Sequence, residues 1–108
     1  MINRPGGVSF LNVTLGQVVY SKAGRDAGRK FIIVAIVDEK YVLISDGDLR
    51  RIENPKKKKV KHLELAGEKI EPISDKLNNN EKVTNSEIRK ALAVLAEDNN
   101  ETALKIQH

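Results

Sequence analysis

Apolar residues cluster tightly in the first two thirds of the chain. "LGQVVYS", 15–21, reads as a short strand after a turn at Gly16. "FIIVAIV", 31–37, is a continuous apolar run rich in β-branched residues, and its length suits a strand better than a helix. A polar connector, "DEK" at 38–40, separates it from "YVLIS", 41–45, so 31–45 reads as a hairpin. "DGD", 46–48, is a turn signal, because Gly47 can take positive φ at no steric cost. "LRRIENP" predicts a short fourth strand ended by Pro55. A fifth strand is expected from Lys59 onward, with Val60, His62 and Glu64 on one face and Lys61, Leu63 and Leu65 on the other. Five short strands with tight turns in about 50 residues predict a small barrel or sandwich.

The pattern then changes period. "EPISDKLNNN", 71–80, predicts a short helix over Pro72–Leu77, since proline is tolerated in a first turn. "TNSE", 84–87, is a capping box in which Thr84 and Glu87 satisfy each other's backbone N–H groups. Ile88, Ala91, Leu92 and Leu95 follow on one face and predict a helix over 85–97. The fold class is therefore mainly β with one or two C-terminal α-helices. The expected organisation is a loosely ordered leader at 1–12, a β domain at 13–66, a linker with a short helix at 67–83, and a helix with polar tail at 84–108. The leader carries Pro5-Gly6-Gly7, and a Gly-Gly pair of this kind can be encoded by a ribosome-binding sequence, with translation starting a few codons later.

Charge adds a second layer. The chain has 108 residues and a net charge of +4. Residues 1–30 carry five cations and one anion, and 49–63 carry seven cations and one anion; 31–48 and 64–108 are each net −3. Positive charge thus sits in two blocks, a distribution that attracts polyanions. There is no cysteine, so no disulfide or thiolate metal site exists, and no apolar run approaches the ~20 residues of a membrane helix. A cytoplasmic protein, without membrane or cofactor, is expected.

The first block is a loop, "KAGRDAGRK". Gly24 and Gly28 permit backbone angles closed to other residues and remove bulk, so a phosphate could approach nearby N–H groups. Lys22, Arg25, Arg29 and Lys30 would neutralise charge there, and arginine suits bidentate phosphate contact. The plain alternative is a hairpin turn with solvated cations. The second block is Arg50, Arg51, Lys56, Lys57, Lys58, Lys59 and Lys61. Lysine is a flexible point charge, which suits phosphate attraction more than base reading. A lysine-protected strand edge is the plain alternative. Tyr20 and Tyr41 could stack on bases or simply be half-buried in strands. Asp46 and Asp48 read as turn residues, and His62 has no metal-ligand companion in the sequence. No nucleophile, phosphate-loop signature or dinucleotide fingerprint is present, and no catalytic or metal role is expected.

Residues 15–38, "LGQVVYSKAGRDAGRKFIIVAIVD", resemble a KOW motif, with Gly16, Val18, Gly24, Gly28 and Ile33 matching in order. Phe31 stands where many KOW motifs carry a further glycine. That departure makes the chain less like transcription elongation factors of the NusG class. It is more similar to the eukaryotic and archaeal large-subunit ribosomal protein family numbered fourteen, with the related families six and twenty-seven. The resemblance continues through 41–65, about half the chain in all, and the "TNSEIRKAL" helix is similar to the tail of a small bacterial group of KOW proteins. It implies an SH3-like five-stranded antiparallel barrel that binds RNA, often ribosomal RNA. The expected function is a translation-associated, monomeric RNA-binding protein contacting structured RNA through both basic blocks. Two alternatives stand beside it: an adaptor docking a protein partner through Ile88, Leu92 and Leu95, and a transcription-elongation-type module.

Overall fold

The computed structural model describes residues 13–94. Its strands are β1 (Gln17–Ser21), β2 (Lys30–Ile36), β3 (Tyr41–Ser45), β4 (Lys56–Lys59) and β5 (Leu63–Lys69). A single 3-10 turn, Val60–His62, joins the last two. Two helices follow: α1 (Ile73–Asn78) and α2, whose described residues are 85–94. The leader 1–12 and the tail from Leu95 lie outside the described residues. All strand pairs are antiparallel, in the order β4-β3-β2-β1-β5, so the first strand lies between the second and the last. The sheet curls into half a barrel.

The apolar run of β2 is explained by burial on both faces of this sheet. Phe31, Ile32 and Ile33 are all fully buried, yet they belong to two different cores. Phe31 and Ile33 face the concave side with Val19, Val42, Ile44 and Leu63. Ile32 faces the convex side with Val18, Ile73, Val83, Ile88 and Leu92. Side chains alternate along a strand, so a strand sandwiched between two cores must be apolar at every position. Burying one such side chain stabilises by about 1.5–3 kcal/mol relative to leaving it exposed.

The second core changes the reading of α2. Ile88 is fully buried and Leu92 nearly so, both against the domain's own sheet. They are core residues and not a free docking face, which overturns the adaptor surface expected from them; Leu95 lies outside the described residues. The capping box forms as expected: the Thr84 N–H donates to Glu87 Oε1 at 2.8 Å, and the Glu87 N–H donates to Thr84 Oγ1 at 3.1 Å. Among the described residues no helix is long and apolar enough to cross a membrane.

The fourth strand is displaced from its expected place. Residues 49–54 form turns, and the lysine run itself is the strand, paired to β3 with Val42 opposite Lys58 and Ile44 opposite Lys56. The reason lies in where the backbone groups of 46–54 find partners. Asp46 Oδ1 accepts from the N–H groups of Asp48 and Arg50, both at 2.9 Å. Ser45 Oγ donates to the Arg50 carbonyl at 2.7 Å, and the Ile52 N–H donates to Asn85 Oδ1 at 2.7 Å. Side-chain partners of this kind compete with a strand ladder. The expected alternation from Lys59 also breaks at the 3-10 turn. Val60 packs with Leu65 against the concave core that holds Leu63, not on the opposite face, while its N–H donates to the Lys40 carbonyl at 2.8 Å.

Candidate nucleic-acid interface

The loop between β1 and β2 bends as its glycines predict: φ is +80° at Gly24 and +86° at Gly28. A Cβ at Gly28 would meet nothing within 4 Å, so backbone angle alone disfavours other residues there. The loop is closed by its own backbone. The Gly28 N–H donates to the Ser21 carbonyl at 2.7 Å, Arg29 N–H to Asp26 at 2.9 Å, and Ala27 N–H to Gly24 at 3.2 Å. These three amides are therefore already engaged. The glycines shape the loop, and the N–H groups of Ala23, Gly24, Arg25 and Asp26 have no hydrogen-bond partner among the described residues.

Strand alternation divides the lysine run. Lys56 and Lys58 point toward the loop: Lys56 Nζ lies 2.7 Å from Asp26 Oδ2, and Lys58 Nζ donates to the Ala23 carbonyl at 3.2 Å. Lys58 is buried. Lys57 and Lys59 point the other way, with their Nζ atoms 4.7 and 6.0 Å from the centroid of the Tyr41 ring. The two basic blocks, far apart in sequence, thus meet along one end of the sheet.

Two aspartates organise the cations. Asp26 has its carboxyl held below the ordinary range by the Lys56 hydrogen bond; partial burial opposes this, and the charges of Lys56, Arg50 and Arg29 reinforce it. Asp46, buried, receives Arg29 Nη2 at 2.8 Å while its other oxygen holds the 46–50 turn. A helix supports the same turn: Arg89 Nη1 donates to the Gly47 carbonyl at 2.6 Å. Gly47 has φ +76° and a Cβ there would sit 2.5 Å from the Asn85 carbonyl oxygen, so both angle and space require glycine.

The predicted cations consequently fall into two groups. Arg29, Lys56 and Lys58 are engaged within the protein, as is Lys30, whose Nζ lies 3.4 Å from the Leu92 carbonyl on the convex side. Arg51 approaches Glu53 at 3.6 Å on the exposed surface. Among the described residues, the side chains of Lys22, Arg25, Arg50 and Lys61 have no ion pair or hydrogen bond, and Lys57 and Lys59 have only the Tyr41 ring. Sequence reasoning passed over Asp26 and Asp46 as organising residues. The available signal was an acid embedded among cations at a turn, in "GRDAGR" and "DGDLRR".

No protein-family model matches the chain. Among curated proteins it is similar to large ribosomal subunit protein eL14 of Staphylothermus marinus, 31% identical over 81 residues covering 75% of this chain and 77% of the relative. It is 30% identical to the eL14 of Sulfolobus acidocaldarius over 80 residues, covering 74% and 76%. The eL14 of Pyrobaculum arsenaticum is 36% identical over 59 residues, a match covering 55% of this chain and only 57% of that relative.

Proposed function

The chain belongs to the large ribosomal subunit protein eL14 family, and from that premise we propose that it is a cytoplasmic, monomeric RNA-binding protein of the translation apparatus that contacts structured ribosomal RNA. In this reading the half-barrel is an SH3-like module over 13–66, and the end where loop and lysine strand meet is the RNA face. The observation that carries it is the Lys56–Asp26 contact, which joins the two separately encoded cationic blocks, with Lys57 and Lys59 on the other face of the same strand. Lys22, Arg25, Arg50, Arg51, Lys57, Lys59 and Lys61 would bind phosphates. Gly24, Gly28, Arg29, Lys56 and Lys58 would shape and hold the surface that presents them, and Lys30 would help to seat α2.

Phosphate neutralisation drives such binding through counterion release, so it weakens steeply with salt. The test is cosedimentation of the full chain with purified large ribosomal subunits at low and high salt. Salt-sensitive association that Arg25→Ala with Lys57→Ala reduces is the expected result. Association that is absent at low salt, or unchanged by these substitutions, rejects the proposal.

A further inference from the structure

Resting on the reading that the chain binds RNA, we infer that Tyr41, on the face of the sheet turned away from the loop, is a stacking platform for one unpaired nucleotide, with Lys57 and Lys59 holding the phosphates beside it. Tyr41 opens β3 and is half-buried, but its ring belongs to neither apolar core. Its hydroxyl has no hydrogen-bond partner among the described residues. Core packing therefore does not account for an aromatic residue here. The register places Lys59 opposite Tyr41 and Lys57 opposite Leu43, so both ammonium groups lie on the outer face of the sheet with the ring. A recess of about 420 Å³, lined by Glu39, Lys40, Lys59, Val60 and Lys61, opens at the same end of β3. Tyr20, by contrast, has no cation near its ring among the described residues.

An aromatic face flanked by cations has a defined chemical preference. Bases within a duplex are already stacked and offer no ring face; a bulged or looped-out base does. Stacking on an aromatic side chain is sequence-tolerant, because every base has a π face. A cation over a ring at an exposed site is weakly held, so an arriving phosphate draws Lys57 from the ring and uncovers it. The surface then distinguishes unpaired from paired RNA, which free lysines alone do not.

The test uses the full chain and two hairpin RNAs, one fully paired and one carrying a single bulged 2-aminopurine. The bulged RNA is expected to bind about fivefold or more tightly than the paired one, with quenching of the 2-aminopurine emission. Tyr41→Leu should abolish both the preference and the quenching while leaving paired-RNA binding within about twofold. Tyr41→Phe should keep both, which separates stacking from any general effect on folding. Equal affinity of the native chain for the two RNAs, or a preference that survives Tyr41→Leu, overturns the inference while leaving RNA binding intact. Failure to bind either RNA overturns the RNA-binding reading and this inference with it.

Discussion

The Lys56 ammonium lies 2.7 Å from the Asp26 carboxylate, and this pair fastens the lysine strand to the glycine-bearing loop. It also neutralises one lysine of a run that looks uniform in the sequence. The pair has a structural task and an electrostatic cost, and the two can be separated by substitution.

Asp26→Asn keeps the shape of the side chain and removes its charge. The backbone bond from the Arg29 N–H to the carbonyl of residue 26 is retained. Stability at neutral pH is expected to fall by up to about 1 kcal/mol, in keeping with a partly exposed ion pair. RNA affinity is expected to rise at low salt, with a log–log salt dependence steeper by about one contact, because Lys56 becomes available. Weaker RNA binding by a variant that melts near the native temperature would show that Asp26 organises the contacts instead of masking one.

The same pair predicts a pH dependence with a fixed sign. The Asp26 carboxyl is lowered in the folded state, chiefly by the Lys56 hydrogen bond. A lowered carboxyl contributes stability that is complete above the ordinary value of about 4 and is lost as pH falls through the folded value. The melting-temperature gap between the native chain and Asp26→Asn should therefore be constant from about pH 6 to 8 and close on acidification below about pH 4. Glu87, lowered first by its Lys76 hydrogen bond and then by the Thr84 N–H, changes in the same direction at the junction of α1 and α2. A gap that persists unchanged into acid would mean that the Asp26 contact does not depend on charge.

The sheet was legible in the sequence because its signals are local. Val18 and Val19 point to opposite cores, and the unbroken run at Phe31–Val37 reports a strand buried on both faces at Phe31–Ile33 and half-buried over Val34–Ile36. The failures come from side-chain partners and packing that composition does not show. Residues 49–54 are held as turns by Asp46 and Ser45, four and five residues from Arg50, and by Asn85, 33 residues from its partner Ile52. The burial of Ile88 and Leu92 was equally invisible, since an amphipathic face has the same sequence whether a partner or its own domain covers it. For the interface, the residue types and the glycine angles were readable. Which lysines meet Asp26 and Ala23, and which meet Tyr41, depends on a strand register that the homopolymeric run does not encode.

Because Ile88 and Leu92 fill the convex core, their truncation should act on stability. Ile88→Ala and Leu92→Ala are each expected to cost about 2–5 kcal/mol, Ile88 nearer the upper end because it is fully buried. Chemical denaturation followed by circular dichroism measures this directly. A variant with an unchanged midpoint would contradict the packing of α2 on the sheet.

The split of the lysine run makes the sharpest prediction for binding. If about five phosphates are neutralised, log affinity should fall against log salt with a slope of roughly −4 to −5, taking about 0.9 per contact. Lys57 and Lys59 have no ion pair among the described residues, so replacing both with alanine should flatten that slope by up to about two units and change stability by less than about 1 kcal/mol per lost ring contact. Lys56 and Lys58 are tied to Asp26 and Ala23, so replacing both should lower the melting temperature. It should flatten the slope less, because Lys56 is already neutralised. Replacing Arg25 should reduce binding without loss of stability, while Gly28→Val should disturb the loop through its φ of +86° with the charge unchanged. Salt titrations and thermal melts of these variants decide the matter together. Equal slopes for the two lysine pairs, with normal binding by Gly28→Val, would show a diffuse polycation in which strand register and loop shape play no part.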